Sequence, residues 1–205
     1  RSTLFPYTTL FRSTNRDGNE ILTKKAVPVE REDIGSDHVQ QTITDMLDTL
    51  RSQGPEGVGI AANQIGSNLA IFVIDVRPPE DAKAKPFRLV AINPKIVKYS
   101  GEPMKSSNPE GCLSGVTGDS ETTPMGFTTR YPEITLQWTD EQGKTHEQTF
   151  DVDVDGMLVW VIQHEVDHLN GIFFTDRIEK SGPRTEEADL AKLAIRSASA
   201  DGTQE

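Results

Sequence analysis

The sequence predicts an α+β fold in which antiparallel β-sheets pack around one central buried helix. Three observations carry that reading. The segment Met157 to Asn170 is apolar on nearly every side, as a helix inside a domain must be. Short apolar runs, most of them broken by Gly or Pro, precede it and read as strands. A length of 205 residues suits a single domain with a core of its own.

The elements follow in chain order. Residues 1–13, RSTLFPYTTLFRS, repeat the triplet Thr-Leu-Phe and lack an initiator Met. They read as a non-native segment, a cloning scar or translated adapter, and are left out of the fold. From Ser36 to Ser52, the residues Val39, Ile43, Met46, Leu47 and Leu50 recur at helical spacing behind a Ser N-cap, which predicts an amphipathic helix. Gln53, Gly54 and Pro55 end it. Strands are expected at Leu69 to Val76, Leu89 to Ile92, Ile96 to Tyr99, Ile134 to Trp138 and Thr149 to Val152, with a hairpin turn at Asp140 to Gly143. Gly171 suits the C-cap of the Met157 to Asn170 helix. Beyond it, Glu186 to Ala198 reads as a short solvated helix and Asp201 to Glu205 as a disordered end. The expected organisation is one domain over residues 14–180, followed by a C-terminal helix and acidic tail over 181–205.

Composition narrows the function classes. No run approaches the roughly 20 apolar residues that a membrane span requires, so no membrane role is expected. A net charge of -11 argues against nucleic acid, because affinity for phosphate backbones comes largely from Lys and Arg displacing counterions. Cys112 is the single cysteine, so no intrachain disulfide can form. With no targeting pattern in view, a reducing cytoplasm is the expected setting.

The chemistry concentrates in three short segments. Gln163-His164-Glu165-Val166-Asp167-His168 places two histidines four residues apart, on one face of a helix and one turn from each other, where both can reach one metal ion. Glu165, next to the first of them, is placed to take a proton from water at such an ion. Burying these polar groups beside Trp160, Val161 and Ile162 would be costly unless they were paired or metal-bound. His38 and His146 lack that context and read as surface residues. A tetrahedral site with one open position still needs a third protein ligand. Cys112, in Glu110-Gly111-Cys112-Leu113-Ser114, is the leading candidate, although a lone cysteine out of context is better read as a buried inert thiol. The third segment, Gly57-Val58-Gly59-Ile60-Ala61-Ala62-Asn63-Gln64, lacks the Lys and Ser/Thr of a phosphate loop and on its own reads as a tight turn against the core.

Together and in this order, Gly57 to Gln64, Glu110 to Ser114 and Gln163 to Gly171 resemble the three signature motifs of the peptide deformylase family, within a likeness spanning roughly Ile21 to Ile178. The separations, 48 residues from Gln64 to Cys112 and 52 from Cys112 to His164, are similar to the family's. The resemblance implies metal-dependent hydrolysis of the N-formyl group from the formyl-methionine of nascent polypeptides, with release of formate. It makes Cys112, His164 and His168 the ligands of one divalent cation, with Fe²⁺ first and Zn²⁺, Ni²⁺ or Co²⁺ as alternatives. Glu165 becomes the acid/base, and the Gln64 side chain and the Leu113 backbone N–H become donors to the oxyanion. Val58, Gly59 and Gly111 are the positions that dock the substrate backbone as an added strand, and Trp160 and Val161 line a methionine pocket. The partners implied are N-formyl-methionyl nascent peptides and, through them, the ribosome.

Two stretches differ from the family's common form: the polar run between Ser114 and Tyr131, and the region before Pro28, which lacks a Pro-Asp-Pro-Arg-like element. Two rival readings remain open to test. A His-Glu-x-x-His endopeptidase would draw its third ligand from downstream, where Asp176 is the only acid before Glu179, and would leave Cys112 and Gln64 unexplained. A non-catalytic relative would be expected to have lost a residue useful only in the transition state, and none of the motif residues is missing.

Overall fold

The computed structural model describes residues 20–54, 57–78, 86–112, 114 and 125–178. The segment 1–13, Leu113, the helix expected at Glu186 to Ala198 and the tail lie outside these residues. A short helix, α1 (Glu20–Thr23), leads into α2 (Asp37–Ser52). Ser36 caps α2 as its sequence suggests, its Oγ accepting the Val39 N–H. The stripe Val39, Ile43, Met46, Leu47 and Leu50 is buried. Each such side chain contributes roughly 1.5–3 kcal/mol relative to exposure, so packing rather than helix propensity holds α2 in place.

The strands are β1 (Gly59–Ala61), β2 (Ile71–Val76), β3 (Phe87–Ser100), β4 (Met104–Lys105), β5 (Glu110–Gly111), β6 (Met125–Gly126), β7 (Thr129–Arg130), β8 (Glu133–Thr139) and β9 (Thr145–Asp151). Two helices follow, α3 (Val152–Asp155) and α4 (Leu158–Leu169). The main sheet is antiparallel throughout, in the order β1-β2-β3-β8-β9, while β4 pairs with β7 and β5 with β6 as two-stranded ribbons. The chain is therefore α+β with antiparallel sheets.

The alternation of side chains along β2 and β3 sorts the core into two layers. Phe72, Ile74, Leu89 and Ala91 join Val159, Trp160, Ile162, Val166 and Leu169 of α4 on one face. Ile71, Val73, Val90 and Ile92 join the α2 stripe on the other. The sheet thus lies between the two helices, and β2 is covered on both sides, which is why it reads as a continuous apolar run.

Several boundaries differ from expectation. The strands expected at Leu89 to Ile92 and Ile96 to Tyr99 are one strand, β3, whose register against β8 shifts between Ile92 and Lys95 and again between Ile96 and Lys98. Asn93 adopts φ 53 within the first irregularity, so Asn93-Pro94 marks a bulge and not a strand end. The strand expected at Thr149 to Val152 is β9, which starts four residues earlier and stops at Asp151, while Val152 opens α3. Its polar stretch Thr145 to Thr149 lies at the sheet edge, where exposed side chains carry no apolar alternation. His146, expected on the surface, is half-buried, stacked on Trp138 and bonded to Asp140 Oδ2; His38 is exposed as expected. The Asp140 to Gly143 turn is present, with Gly143 at φ 78. Gly171, just past the C-cap Asn170 of α4, takes φ 70, as a helix terminator of that kind requires.

Candidate active site

Three segments distant in sequence meet where α4 faces β1 and the end of β5. His164 and His168 leave the same face of α4, and their Nε2 atoms stand 3.1 Å apart. Cys112, the residue after β5, is buried and brings Sγ to 3.2 Å from His168 Nε2. All three ligand atoms lie within 4.8 Å of one another. His164 Nδ1 lies 3.1 Å from Glu110 Oε2. A carboxylate can only accept, which puts the ring proton on Nδ1 and turns the Nε2 lone pair toward Cys112 and His168. One thiol and two imidazole nitrogens in such proximity fit a soft or borderline divalent cation and suit neither calcium nor magnesium.

The titration behaviour of the cation-free cluster agrees with that fit. Burial alone would raise the Cys112 thiol, but the two imidazoles outweigh it and pull it well below its ordinary value. Burial alone would lower His164, yet its contacts with Cys112 and Glu110 lift it to about 10. The cluster stabilises positive charge at its centre, and protons fill that role when no cation does.

Two further side chains point at the same place. Glu165 is buried, and burial pushes its carboxyl up to about 7 against the pull of His164 and His168. A Cβ at Gly59 would fall 2.6 Å from Glu165 Oε1 and 2.9 Å from Val161 Cγ1, so only glycine lets β1 pass this close to the acid. Gln64 sits in the 3₁₀ turn Ala62–Ile65, where its Oε1 accepts the Ala61 N–H at 2.8 Å. Its Nε2 donates to Ser114 Oγ at 3.0 Å and stands 3.6 Å from Cys112 Sγ. That anchoring fixes the amide rotamer, with N–H toward the ligand cluster. Among the other residues expected at the site, Val58 and Gly59 are half-buried at β1, Gly111 is exposed on β5, and Val161 is half-buried one turn before His164. Trp160 belongs to the core layer beneath α4. Leu113 is outside the described residues.

An outer set of residues was not read from the sequence as a network: Glu110 and Asp167 lie inside the motif segments, but their partners Arg130 and Arg177 carry no local signal. Glu110 accepts from Arg130 Nε at 2.5 Å and Nη2 at 2.7 Å, and from the Thr128 hydroxyl. These bonds outweigh burial and hold its carboxyl far below the usual range, so it stays an acceptor for His164. Arg130 also donates to Asp167 Oδ2 at 2.9 Å, and Arg177 donates to both oxygens of that carboxylate, Nε to the same Oδ2 and Nη2 to Oδ1. Phe174 stacks on His164, and Phe173 meets His168 edge-on. Asp176, the downstream ligand an endopeptidase reading would need, instead accepts the Phe173 N–H within its own turn.

The sequence matches the family described as polypeptide deformylase over residues 12–184. The chain belongs to the peptide deformylase family. It is 40% identical over 163 residues to the peptide deformylase of Aquifex aeolicus, a match covering 78% of this chain and 83% of that one. It is 35% identical to peptide deformylase 2 of Bacillus subtilis, covering 83% of this chain and 91% of the relative. Among solved structures, a class I type b peptide deformylase from Acinetobacter baumannii with Met-Ala-Ser bound superposes with a TM-score of 0.66 at 30% identity, covering 80% of this chain and 96% of that one. The chain is therefore a deformylase, a hydrolase that removes the N-formyl group from nascent polypeptides, and the family is one of metalloenzymes.

Proposed function

We propose that Cys112, His164 and His168 hold one divalent cation at which Glu165 and Gln64 carry out deformylation. The observation that carries this reading is the gathering of three ligand atoms, with an anchored amide against Cys112 and a buried carboxyl that feels the charge of His164, His168 and Cys112. A bound cation supplies Lewis-acid polarisation and a water that ionises near neutrality. Glu165 takes a proton from water as the formyl carbon is attacked and returns it to the departing amine nitrogen, a cycle suited to an acid held near neutrality. Gln64 Nε2 donates to the oxygen that becomes negative, with the Leu113 N–H as the second donor.

The peptide adds alongside β1, which is an edge strand of the main sheet. Val58, Gly59 and Gly111 supply its main-chain partners, and such bonds do not depend on residue identity beyond the first position. Trp160 and Val161 are assigned to the methionine pocket. That the Acinetobacter relative holds Met-Ala-Ser supports a peptide beginning with Met as the occupant. We assign the working domain to residues 14–180 around α4 as its central helix, leaving 1–13 and 181–205 outside it. The cation is assigned as Fe²⁺, with Zn²⁺, Ni²⁺ and Co²⁺ as substitutes, and the setting as the cytoplasm beside the ribosome. No helix of the described residues is long and apolar enough to cross a membrane.

The test is to purify the chain without oxygen, quantify bound metal, and compare formyl-methionyl and acetyl-methionyl peptides of otherwise identical sequence. Near one metal per chain and formate from the formyl peptide alone are expected. Metal-loaded protein that releases no formate would remove the assignment.

A further inference from the structure

The two histidines of the cluster are held in different ways. The His164 ring is oriented through Nδ1 by Glu110. The His168 ring has no such partner among the described residues: its Nδ1 is buried without a hydrogen bond. What is held is its main chain. Asn63, fully buried and 105 residues upstream, donates from Nδ2 to the His168 carbonyl at 2.6 Å. That carbonyl belongs to the last turn of α4, where helix carbonyls lack successive N–H partners, and it also accepts from the main-chain N–H groups of the cap residue Asn170 and of Gly171.

Asn63 also precedes Gln64 directly, within the same 3₁₀ turn. One peptide unit therefore joins a side chain bonded to the backbone of His168 to a side chain aimed at Cys112 and Ser114. From this we infer that Asn63 is a positioning residue, which sets the His168 ring and the Gln64 amide in register with each other. The inference rests on the reading of Cys112, His164 and His168 as ligands. It deepens that reading by assigning a role to the one polar side chain of the first motif that points away from the chemistry. A buried donor spanning two segments so far apart in sequence is a costly arrangement if packing alone were needed, since an apolar residue of the same shape would fill the space without the desolvation penalty.

Asn63→Leu keeps the size and the branching and removes the amide, the Nδ2 donor together with the buried Oδ1; Asn63→Ala serves if the larger apolar group does not fold. Each is compared with wild type as the full chain loaded with Co²⁺, by visible spectrum, rate of cobalt loss to a chelator, kcat and KM on a formyl-methionyl peptide, and melting of the cation-free form. The expected result is an altered cobalt spectrum, faster chelation, and kcat lower by about 10- to 100-fold at nearly unchanged KM, with the cation-free melting temperature within a few degrees of wild type. An unchanged spectrum and kcat would overturn the inference, as would a large fall in melting temperature beside an unchanged spectrum, which marks packing alone. Wild-type protein that takes up no cobalt would sink the ligand assignment itself.

Discussion

Glu165 Oε2, like His168 Nδ1, is buried with no hydrogen-bond partner among the described residues. An oxygen with no fixed partner suits the proton-transfer role proposed for it. Glu165→Gln should keep bound metal near one per chain while lowering kcat by roughly 10²- to 10⁴-fold, read by metal analysis and formate release. Loss of metal in step with activity would count against that role. The same residue makes the cation-free protein sensitive to pH. Its pKa is higher folded than unfolded, so its contribution is full below about 4.5 and is lost as pH rises through about 7. Denaturant titrations of chelated wild type and Glu165→Gln should therefore diverge in the variant's favour between those values, by up to about 3 kcal/mol. Parallel profiles would show that Glu165 is not protonated in the native state. At this scale the cluster of Cys112, His164 and His168, the proposed ligands, was legible because His-x-x-x-His and a lone Cys are local patterns. Glu110, Arg130, Asp167 and Arg177 were not legible as a group, since an ion network closed across 20 and 37 residues has no spacing to read.

Among the elements, β1 was the least visible. Three residues rich in small side chains look like a turn, yet they form the strand that passes over Glu165. Gly59→Ala probes that passage. The nearest clash is with the end of a flexible side chain, so the fold should survive and the carboxylate should be pushed aside. The expected result is a kcat lower by about 100-fold at nearly constant melting temperature. Wild-type turnover in this variant would mean that the carboxylate has room the structure does not show. The helices α2 and α4 were legible because caps and apolar stripes fall within one turn of each other in sequence. The joined strand β3 and the polar edge strand β9 were obscured by Asn93-Pro94 and by exposure, two features whose meaning is set by the partner strand.

For the molecule as a whole, the ion decides durability. Zn²⁺ stands above Fe²⁺ in affinity for such ligands, so an iron assignment rests on family likeness and on supply in the cell. An Fe²⁺ form should lose activity in air through oxidation of the ion and of Cys112, whereas nickel- or cobalt-loaded protein should keep it over the same hours. Zinc-only preparations that are stable in air and match the anaerobic iron form in turnover would overturn iron while leaving the three ligands standing.

The histidine pair is complete as soon as one turn of α4 exists, but the thiol lies 56 residues earlier in the chain. During synthesis the thiol is made first and waits for the helix that will shelter it. If the proposed site binds its ion, capture of the thiol by an ion seated on the pair would close that long loop, a step worth roughly 4 kcal/mol of chain entropy by analogy with a covalent cross-link. Until then the chain's only cysteine is open to oxidants and to stray metals alike, an interval that alkylation of chains paused before and after residue 168 would measure.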